Sequence, residues 1–283
     1  MKVSIVIRTH NSAGTLGEVL WSLRSQRFRD YELVVVDSGS KDRTRDLLGA
    51  HQHTLVDVSR ETFTYSGALN AGCRVAKGEY IVCLSSHCVP AHEDWLGRLV
   101  RALDDEQLAG AWSPPILDDR ARGSEEERVE RIRLDDFLLK PTHGLQNSSS
   151  IIRRGLWQLH HFSEQVERCE DQEWAHHFLQ RGYSTAVVRG APVFYRYPRG
   201  LLSFSAKTYK NSLTIYRMFG YQGWRISLAE LCKETLWFLR AVARSKRSVH
   251  SIRLPIGSRI GRWVAGKVID LEMRLESRHR ASA

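Results

Sequence analysis

Val3-Ser4-Ile5-Val6-Ile7-Arg8-Thr9-His10-Asn11-Ser12 opens the chain, and Tyr31-Glu32-Leu33-Val34-Val35-Val36-Asp37-Ser38-Gly39-Ser40 follows it. Each stretch is an apolar, largely β-branched run that breaks at a cluster of small polar residues. Between them Leu16, Val19, Leu20 and Leu23 recur at the spacing of one helix face, with Asn11 or Ser12 as the cap. A strand that is apolar along its whole length is buried on both faces, which is the signature of a parallel sheet rather than a half-solvated antiparallel one.

The rhythm continues outward from that pair. The pattern predicts a helix over 42–49, a strand over Thr54–Val58, a helix over 67–76 and a strand over Glu79–Leu84. A helix over 91–103 follows, entered through Pro90 with Glu93 and Asp94 in its first turn. A strand over Ala109–Leu117 is ended by two prolines, and the charged stretch Asp118–Thr142 reads as a loop or short exposed helix. Strand Asn147–Ile152, helix Asp171–Arg181 (stopped by Gly182) and strands Ser184–Val188 and Pro192–Tyr195 complete the series. The expected fold class is α/β, a mostly parallel Rossmann-like sheet flanked by helices, in a catalytic domain over 1–200. Residues 201–283 form a C-terminal helical extension in this reading.

Composition narrows the function. In 283 residues, 42% hydrophobic, the chain carries a net charge of +10, and none of that excess lies in the domain. Gly200–Ala283 holds 16 Lys/Arg against 5 Asp/Glu, whereas the first 199 residues are net −1. An anionic partner is therefore expected at the tail, and the absence of any nucleic-acid motif favours a membrane surface over a nucleic acid. Leu228–Ala243 and Ile256–Met273 place Leu, Ile, Val and Trp on one side and Lys and Arg on another, as interfacial helices do. Five cysteines without a C-x-x-C pair fit reduced thiols. With no signal-peptide anatomy and no run of eighteen apolar residues, the expected location is cytoplasmic, peripheral on the inner face of the membrane.

Ligands of open parallel sheets bind beyond the carboxyl ends of the strands. Thr9-His10-Asn11, Asp37-Ser38-Gly39-Ser40 and Ser85-Ser86-His87-Cys88 all fall there. Taken singly, each is an ordinary strand-to-helix turn. Their order is more specific. The series I-R-T-H-N-S…L-x-x-V-L-W-S-L-R-S-Q, V-V-V-D-S-G-S-K-D-R-T, G-A-L-N-A-G…A-K-G-E-Y-I-V-C-L-S-S-H-C and C-E-D-Q-E-W resembles the family 2 glycosyltransferases of GT-A fold, over about residues 1–200.

The resemblance implies an inverting enzyme that moves a sugar from a nucleotide-sugar donor to a saccharide or lipid-linked acceptor in polysaccharide or glycolipid biosynthesis. It implies donor contacts from Thr9, Asn11, Asp37 (on the nucleobase), Asn70, Ser85, Ser86 and His87. Asp171 is the implied catalytic base, with Glu170 as alternate, and Trp112, Asn147 and Trp174 belong to the acceptor side. A divalent cation, Mn²⁺ or Mg²⁺, is also implied. Yet the stretch matching the family's Asp-x-Asp-like motif reads Ser85-Ser86-His87, and Tyr195 stands where the family often has a histidine. His87 is thus either an imidazole ligand, suited to Mn²⁺ more than Mg²⁺, or a direct contact to the diphosphate. The missing carboxylate leaves open a catalytically inactive relative that binds nucleotide-sugar, and the basic tail leaves open an anionic-polymer-binding protein. Glu173-x-x-His176 has a di-iron spacing but no second copy, and the pairs His160-His161 and His176-His177 read as acceptor-side or solvated residues.

Overall fold

The structure, a computed structural model, describes residues 1–116, 128–196, 201–221 and 259–270, with 273. The chain divides into two compact units, Met1–Tyr197 and Pro198–Ala283.

The first unit is built on an eight-stranded sheet. Its strands, in chain order, are β1 (Val3–Thr9), β2 (Tyr31–Asp37), β3 (Thr54–Asp57), β4 (Tyr80–Ser85), β6 (Leu108–Trp112), β8 (Val129–Ile132), β9 (Ser149–Arg153) and β10 (Ser184–Val188). They lie side by side in the order β3-β2-β1-β4-β9-β6-β10-β8. β1, β2, β3, β4, β6 and β10 run one way; β9, between β4 and β6, and β8, at the edge, run against them. A smaller sheet orders β5 (Cys88–Pro90), β11 (Val193–Tyr195) and β7 (Pro115–Ile116) as β5-β11-β7.

Alternation along the strands sends neighbours to opposite faces, and both faces are dry. Val3, Ile5 and Ile7 of β1 join Leu33 and Val35 of β2 and Val82 and Leu84 of β4. This face packs against Leu16, Val19, Leu20 and Leu23 of α1 (Ala13–Arg24) and against Trp95, Leu96 and Leu99 of α4 (Trp95–Ala102). Val6, Val34 and Val36 point the other way, to α3 (Tyr65–Val75). α3 comes close because Gly72 carries no side chain: a Cβ there would lie 2.5 Å from Val6 and 2.8 Å from Val36. Each fully buried Leu, Ile or Val contributes about 1.5–3 kcal/mol relative to exposure, which makes the sheet–helix sandwich the main stabilising feature.

The α/β class and the mostly parallel sheet are as expected, but several local readings need correction. The expected strand over Ala109–Leu117 is two strands, because Ser113-Pro114 breaks the ladder and hands Pro115–Ile116 to the small sheet. A proline cannot donate to a central ladder. The described part of Asp118–Thr142 is not loop or exposed helix alone: β8 pairs antiparallel with β10, and α5 (Leu134–Leu139) follows. Helix 91–103 starts only at Trp95, since Pro90 closes β5, a strand too short to show a period. α2 (Thr44–Leu48), α6 (Arg154–Leu159) and α7 (Glu170–Leu179) complete the unit.

In the second unit, α8 (Leu201–Phe219) sets Leu213 against Ala265 and Ile269, with Tyr209, Tyr216 and Val268 around them. Part of the apolar face offered above to a membrane is therefore packed within the protein. The candidate interfacial helix Leu228–Ala243 lies outside the described residues. Among the described residues no helix is long and apolar enough to cross a membrane.

Candidate active site

Register brings the polar strand ends together at one end of the central strands. Thr9 is paired with Asp37, Arg8 with Ser85, and Leu84 with Ser149, so the ends of β1, β2 and β4 meet the start of β9.

Asp37 is fully buried and saturated with hydrogen bonds. The Ser40 backbone N–H donates to Oδ1 (2.9 Å), as do Arg45 Nε (3.1 Å) and Nη2 (2.9 Å). Thr9 Oγ1 (2.9 Å) and Ser40 Oγ (2.5 Å) donate to Oδ2. Burial alone would push this carboxyl up, but the donors from Ser40, Arg45 and Thr9 together hold it below the usual range. Asp37 and Thr9 thus organise the turn through these bonds. Gly39, at φ +77°, makes the tight turn that lets Ser40 fold back. The exposed groups on this turn are others. Asn11, itself in the left-handed region at φ 48°, donates its N–H to Ser40 Oγ (2.9 Å) and accepts from the Lys41 N–H at Oδ1 (2.8 Å). His10 Nδ1 lies 2.9 Å from the Ser38 carbonyl. His10 and Ser38 were present in the polar clusters but carry no signal in isolation. Arg45 also pairs with Asp57.

Asn70 is likewise structural. Its Nδ2 donates to the Phe162 carbonyl (2.8 Å) and to Glu164 (3.1 Å). Its Oδ1 accepts from Trp157 Nε1 and the Phe162 N–H, both at 3.2 Å. All four bonding positions of the amide are used inside the protein.

The β4–β5 turn carries Ser85, Ser86 and His87. Ser86 is pinned to the start of α1: its Oγ lies 2.9 Å from Ser12 Oγ, and its carbonyl accepts from Thr15 Oγ1 (2.7 Å). Ser85 and His87 remain partly exposed. The His87 ring meets the Tyr195 ring edge-on at 5.0 Å, because β11 pairs antiparallel with β5 and puts Tyr195 opposite Cys88. The Arg196 N–H donates to the His87 carbonyl (2.7 Å), and Arg196 Nε to Glu18 on α1 (3.2 Å).

Glu170 and Asp171 open α7. Cys169, just before them, sits at φ 61°, an unusual conformation for a residue with a side chain. Asp171 Oδ2 accepts from the Asn147 N–H (3.0 Å) and Oδ1 from the Gln172 N–H (2.9 Å). Burial, reinforced by the Glu170 charge, raises its carboxyl to about 7, against the pull of those two amides and of Arg8. Glu170 is itself buried and faces Arg8 Nη1 at 3.6 Å. Arg8 also donates to the Tyr65 carbonyl (2.7 Å) and lies over the Tyr65 ring. Arg8 was read only as the last residue of a strand; nothing local reveals that it reaches α3 and α7.

Asn147 is buried beside Asp171. Ser150 Oγ donates to its Oδ1 (3.0 Å), while Nδ2 has no partner. Trp112 and Trp174 are core residues, not platforms for an acceptor sugar. Trp174 is fully buried with Nε1 on the His160 carbonyl (2.8 Å), and Trp112 Nε1 donates to the His143 carbonyl (3.2 Å). His160 stacks on His177 at 3.6 Å and contacts Glu173 with Nε2 (3.1 Å).

The profile of Glycosyl transferase family 2 matches residues 4–159. The chain belongs to this family.

The O-antigen chain rhamnosyltransferase RfbN of Salmonella typhimurium is 25% identical over 206 residues, covering 68% of this chain and 66% of that protein. The crystal structure of S. aureus TarS 1–349 superposes with a TM-score of 0.57 at 19% identity, covering 76% of this chain and 66% of that one. The mannosyltransferase PcManGT from Pyrobaculum calidifontis, in complex with GDP-Man and Mn²⁺, has a TM-score of 0.59 at 18% identity, over 100% of this chain and 80% of its own. These likenesses give the GT-A fold. The chain spans about one third to two thirds of the length of the first curated relatives it matches.

The family's usual cation finds a poor donor set here. Among the described residues no three His, Cys, Asp or Glu side chains converge to hold a metal ion. The turn expected to bind it offers one imidazole and two serines, and Ser86 Oγ is engaged by Ser12. Mg²⁺ requires hard oxygen ligands, and neither ion is neutralised by a hydroxyl and an imidazole. Among the described residues, the turn that matches the family's cation motif supplies no carboxylate for such an ion.

Proposed function

We propose that the protein is an inverting glycosyltransferase acting on a nucleoside-diphosphate sugar. The observation that carries this reading is Asp171: a carboxyl held by two backbone amides at the sheet's ligand-binding edge and raised to about 7. A carboxylate of that basicity, at a fixed place, is suited to take a proton from a sugar hydroxyl near neutral pH. The acceptor oxygen forms a bond to the anomeric carbon from the face opposite the leaving group. The bond from that carbon to the diphosphate oxygen breaks, its electron pair leaves on the nucleoside diphosphate, and the acceptor proton passes to Asp171. Asn11 and His10, exposed beside the Asp37–Ser40 turn, are the groups suited to meet the base.

The name of RfbN supports a saccharide acceptor, lipid-linked or free, in surface-polysaccharide assembly. The basic tail supports docking on the cytoplasmic face of an anionic membrane, as a peripheral protein.

A thermal-shift screen with UDP-, GDP- and dTDP-sugars tests the donor class, coupled to release of nucleoside diphosphate on adding saccharide acceptors. A ligand that binds only the native state raises the melting temperature with concentration. One base should stand out and support turnover. Stabilisation without turnover on any acceptor would make the chain an inactive relative, and no response to any donor would overturn the reading.

A further inference from the structure

Sugar transfer needs one proton acceptor, and the first turn of α7 carries two carboxyls side by side, Glu170 and Asp171. Two carboxyl groups this close share their protons as a pair, and their surroundings decide which of them takes the proton. The structure gives them different surroundings. We infer that Arg8, near the end of β1, is a positioning residue that makes this choice: it engages Glu170 as the partner of its guanidinium and leaves Asp171 as the proton acceptor.

Three observations support the assignment. The first is the division of contacts. Arg8 Nη1 lies 3.6 Å from Glu170 Oε1, with the two side chains 19% and 8% exposed. Among the described residues no cation pairs with Asp171, whose oxygens accept from the Asn147 and Gln172 backbone N–H groups. An opposite charge in contact favours the ionised form of a carboxyl and so weakens it as a base. Glu170 is also buried, whereas Asp171 keeps some exposure through which a substrate can reach it.

The second is fixation. Arg8 Nη1 donates to the Tyr65 carbonyl at 2.7 Å, at the start of α3, and the guanidinium lies 5.3 Å from the centre of the Tyr65 ring. Its backbone is paired with Val36 of β2 on one side and Ser85 of β4 on the other. The cation is therefore anchored to the sheet and to α3 while it faces α7.

The third is the charge of the neighbourhood. From α3, Tyr65 and Cys73 lie near Arg8, and the Cys73 thiol, buried beside Cys83 of β4, is pushed well up and stays neutral. From the segment before α7, Arg168 lies over the Tyr65 ring at 5.4 Å and pairs with the exposed Glu167 at 3.5 Å. Glu164 is taken by Asn70 and Arg74, and Glu173 by His160. Arg8 is thus the cation that Glu170 meets, and it pulls Asp171 down against burial and the Glu170 charge. Removing one partner of a buried pair leaves the other charge uncompensated.

This inference rests on the glycosyltransferase reading above, and one arm of its test needs no substrate. Full-length protein with ¹³C-labelled Asp and Glu carboxyls is titrated by NMR, and Asp171→Asn identifies the Asp171 signal. That signal should titrate near 7 in the parent. Arg8→Gln, which keeps a donor for the Tyr65 carbonyl but removes the charge, should raise the midpoint by about one unit, and Arg8→Lys should restore most of it. Glu170→Gln, which breaks the pair from its other end, should lower the midpoint, and Arg8→Gln added to it should produce a smaller step than in the parent. In the second arm the acid limb of kcat/KM should follow these midpoints, with nucleoside-diphosphate affinity and melting temperature near the parent's. A midpoint unmoved by Arg8→Gln, or moved equally with and without Glu170, would overturn the inference and leave the glycosyltransferase reading standing. So would a signal near 7 that disappears in Glu170→Gln instead of Asp171→Asn. Loss of nucleotide affinity in Arg8→Gln with an unchanged pH profile would make Arg8 a donor contact and overturn the positioning role. The expected NMR shifts without turnover on any donor and acceptor would overturn the glycosyltransferase reading while the choice between the two carboxyls stands.

Discussion

The backbone N–H of Asn147 donates to Asp171 Oδ2 at 3.0 Å, tying the segment before β9 to the first turn of α7. Two segments widely separated in sequence thus fix one oxygen of the candidate base, while the Gln172 N–H fixes the other at 2.9 Å. The carboxylate cannot rotate away, and its basicity comes from burial and from Glu170 beside it.

Replacing Asp171 by Asn preserves an oxygen for one of these amides and removes the proton acceptor. Transfer should fall about 100-fold or more, with donor affinity little changed. Single-turnover rates and nucleotide titrations check the split. If Asp171→Asn turns over normally while Glu170→Gln does not, the neighbouring carboxylate is the base.

The base must be ionised to work, so kcat/KM should rise with pH and level off above about 7, where Asp171 has lost its proton. The Glu170 charge helps to raise that value, and Glu170→Gln should therefore move the acid limb to lower pH. A pH–rate series on the two proteins reads the shift directly.

The same raised carboxyl affects stability. Its native value exceeds that of the unfolded chain, about 3.9, so the native state binds the proton more tightly. That stabilisation is complete below about 4 and is lost as pH rises through about 7. Asp171→Asn, which cannot ionise, should accordingly remove this part of the pH dependence from the melting temperature. His143 and His177 act in the opposite sense. Burial, with Lys140 and Arg189 near His143 and with His160 and Arg181 near His177, lowers each to about 4. The unfolded chain takes up these protons first, so each histidine costs stability as pH falls from about 6.5 towards 4. His177→Gln should flatten the acid side of a melting-temperature profile.

Asn70→Ala should reduce stability without a matching loss in nucleotide affinity. It leaves Trp157 Nε1 and the Phe162 N–H without their partner, and an unsatisfied buried donor costs about 1–3 kcal/mol. Urea unfolding with a parallel nucleotide titration separates this from a donor contact, which would lower both.

The tail prediction is electrostatic. Each Lys or Arg close to an anionic leaflet contributes about 1 kcal/mol, and salt screens the attraction. The full chain should pellet with phosphatidylserine vesicles at low salt and release at high salt. Charge reversal of Arg244, Lys246 and Arg247 should remove much of the binding. Indifference to vesicles at low salt would assign the basic face to solvent.

What was legible in the sequence was everything that depends on near neighbours in the chain. The apolar runs Val3–Arg8 and Tyr31–Val36, with Leu16, Val19, Leu20 and Leu23 between them, are enough for parallel strands and a crossover helix, because periodicity and burial are local properties. The ordered motifs marked Glu170-Asp171 at a helix start and the missing carboxylate at Ser85-Ser86-His87. Only the tertiary structure decided what each polar side chain does there. Asp37 and Asn70 look like ligand contacts in a motif, yet each spends its bonding capacity on partners from other turns. Trp112 and Trp174, counted on the acceptor side of the motif pattern, are core. Arg8 beside Glu170 and Arg196 beside His87 carry no local signature at all. The reason is physical: a helix or strand is specified by a few residues' spacing, whereas the hydrogen-bond partner of a buried polar group is set by whichever distant segment the core packs against it.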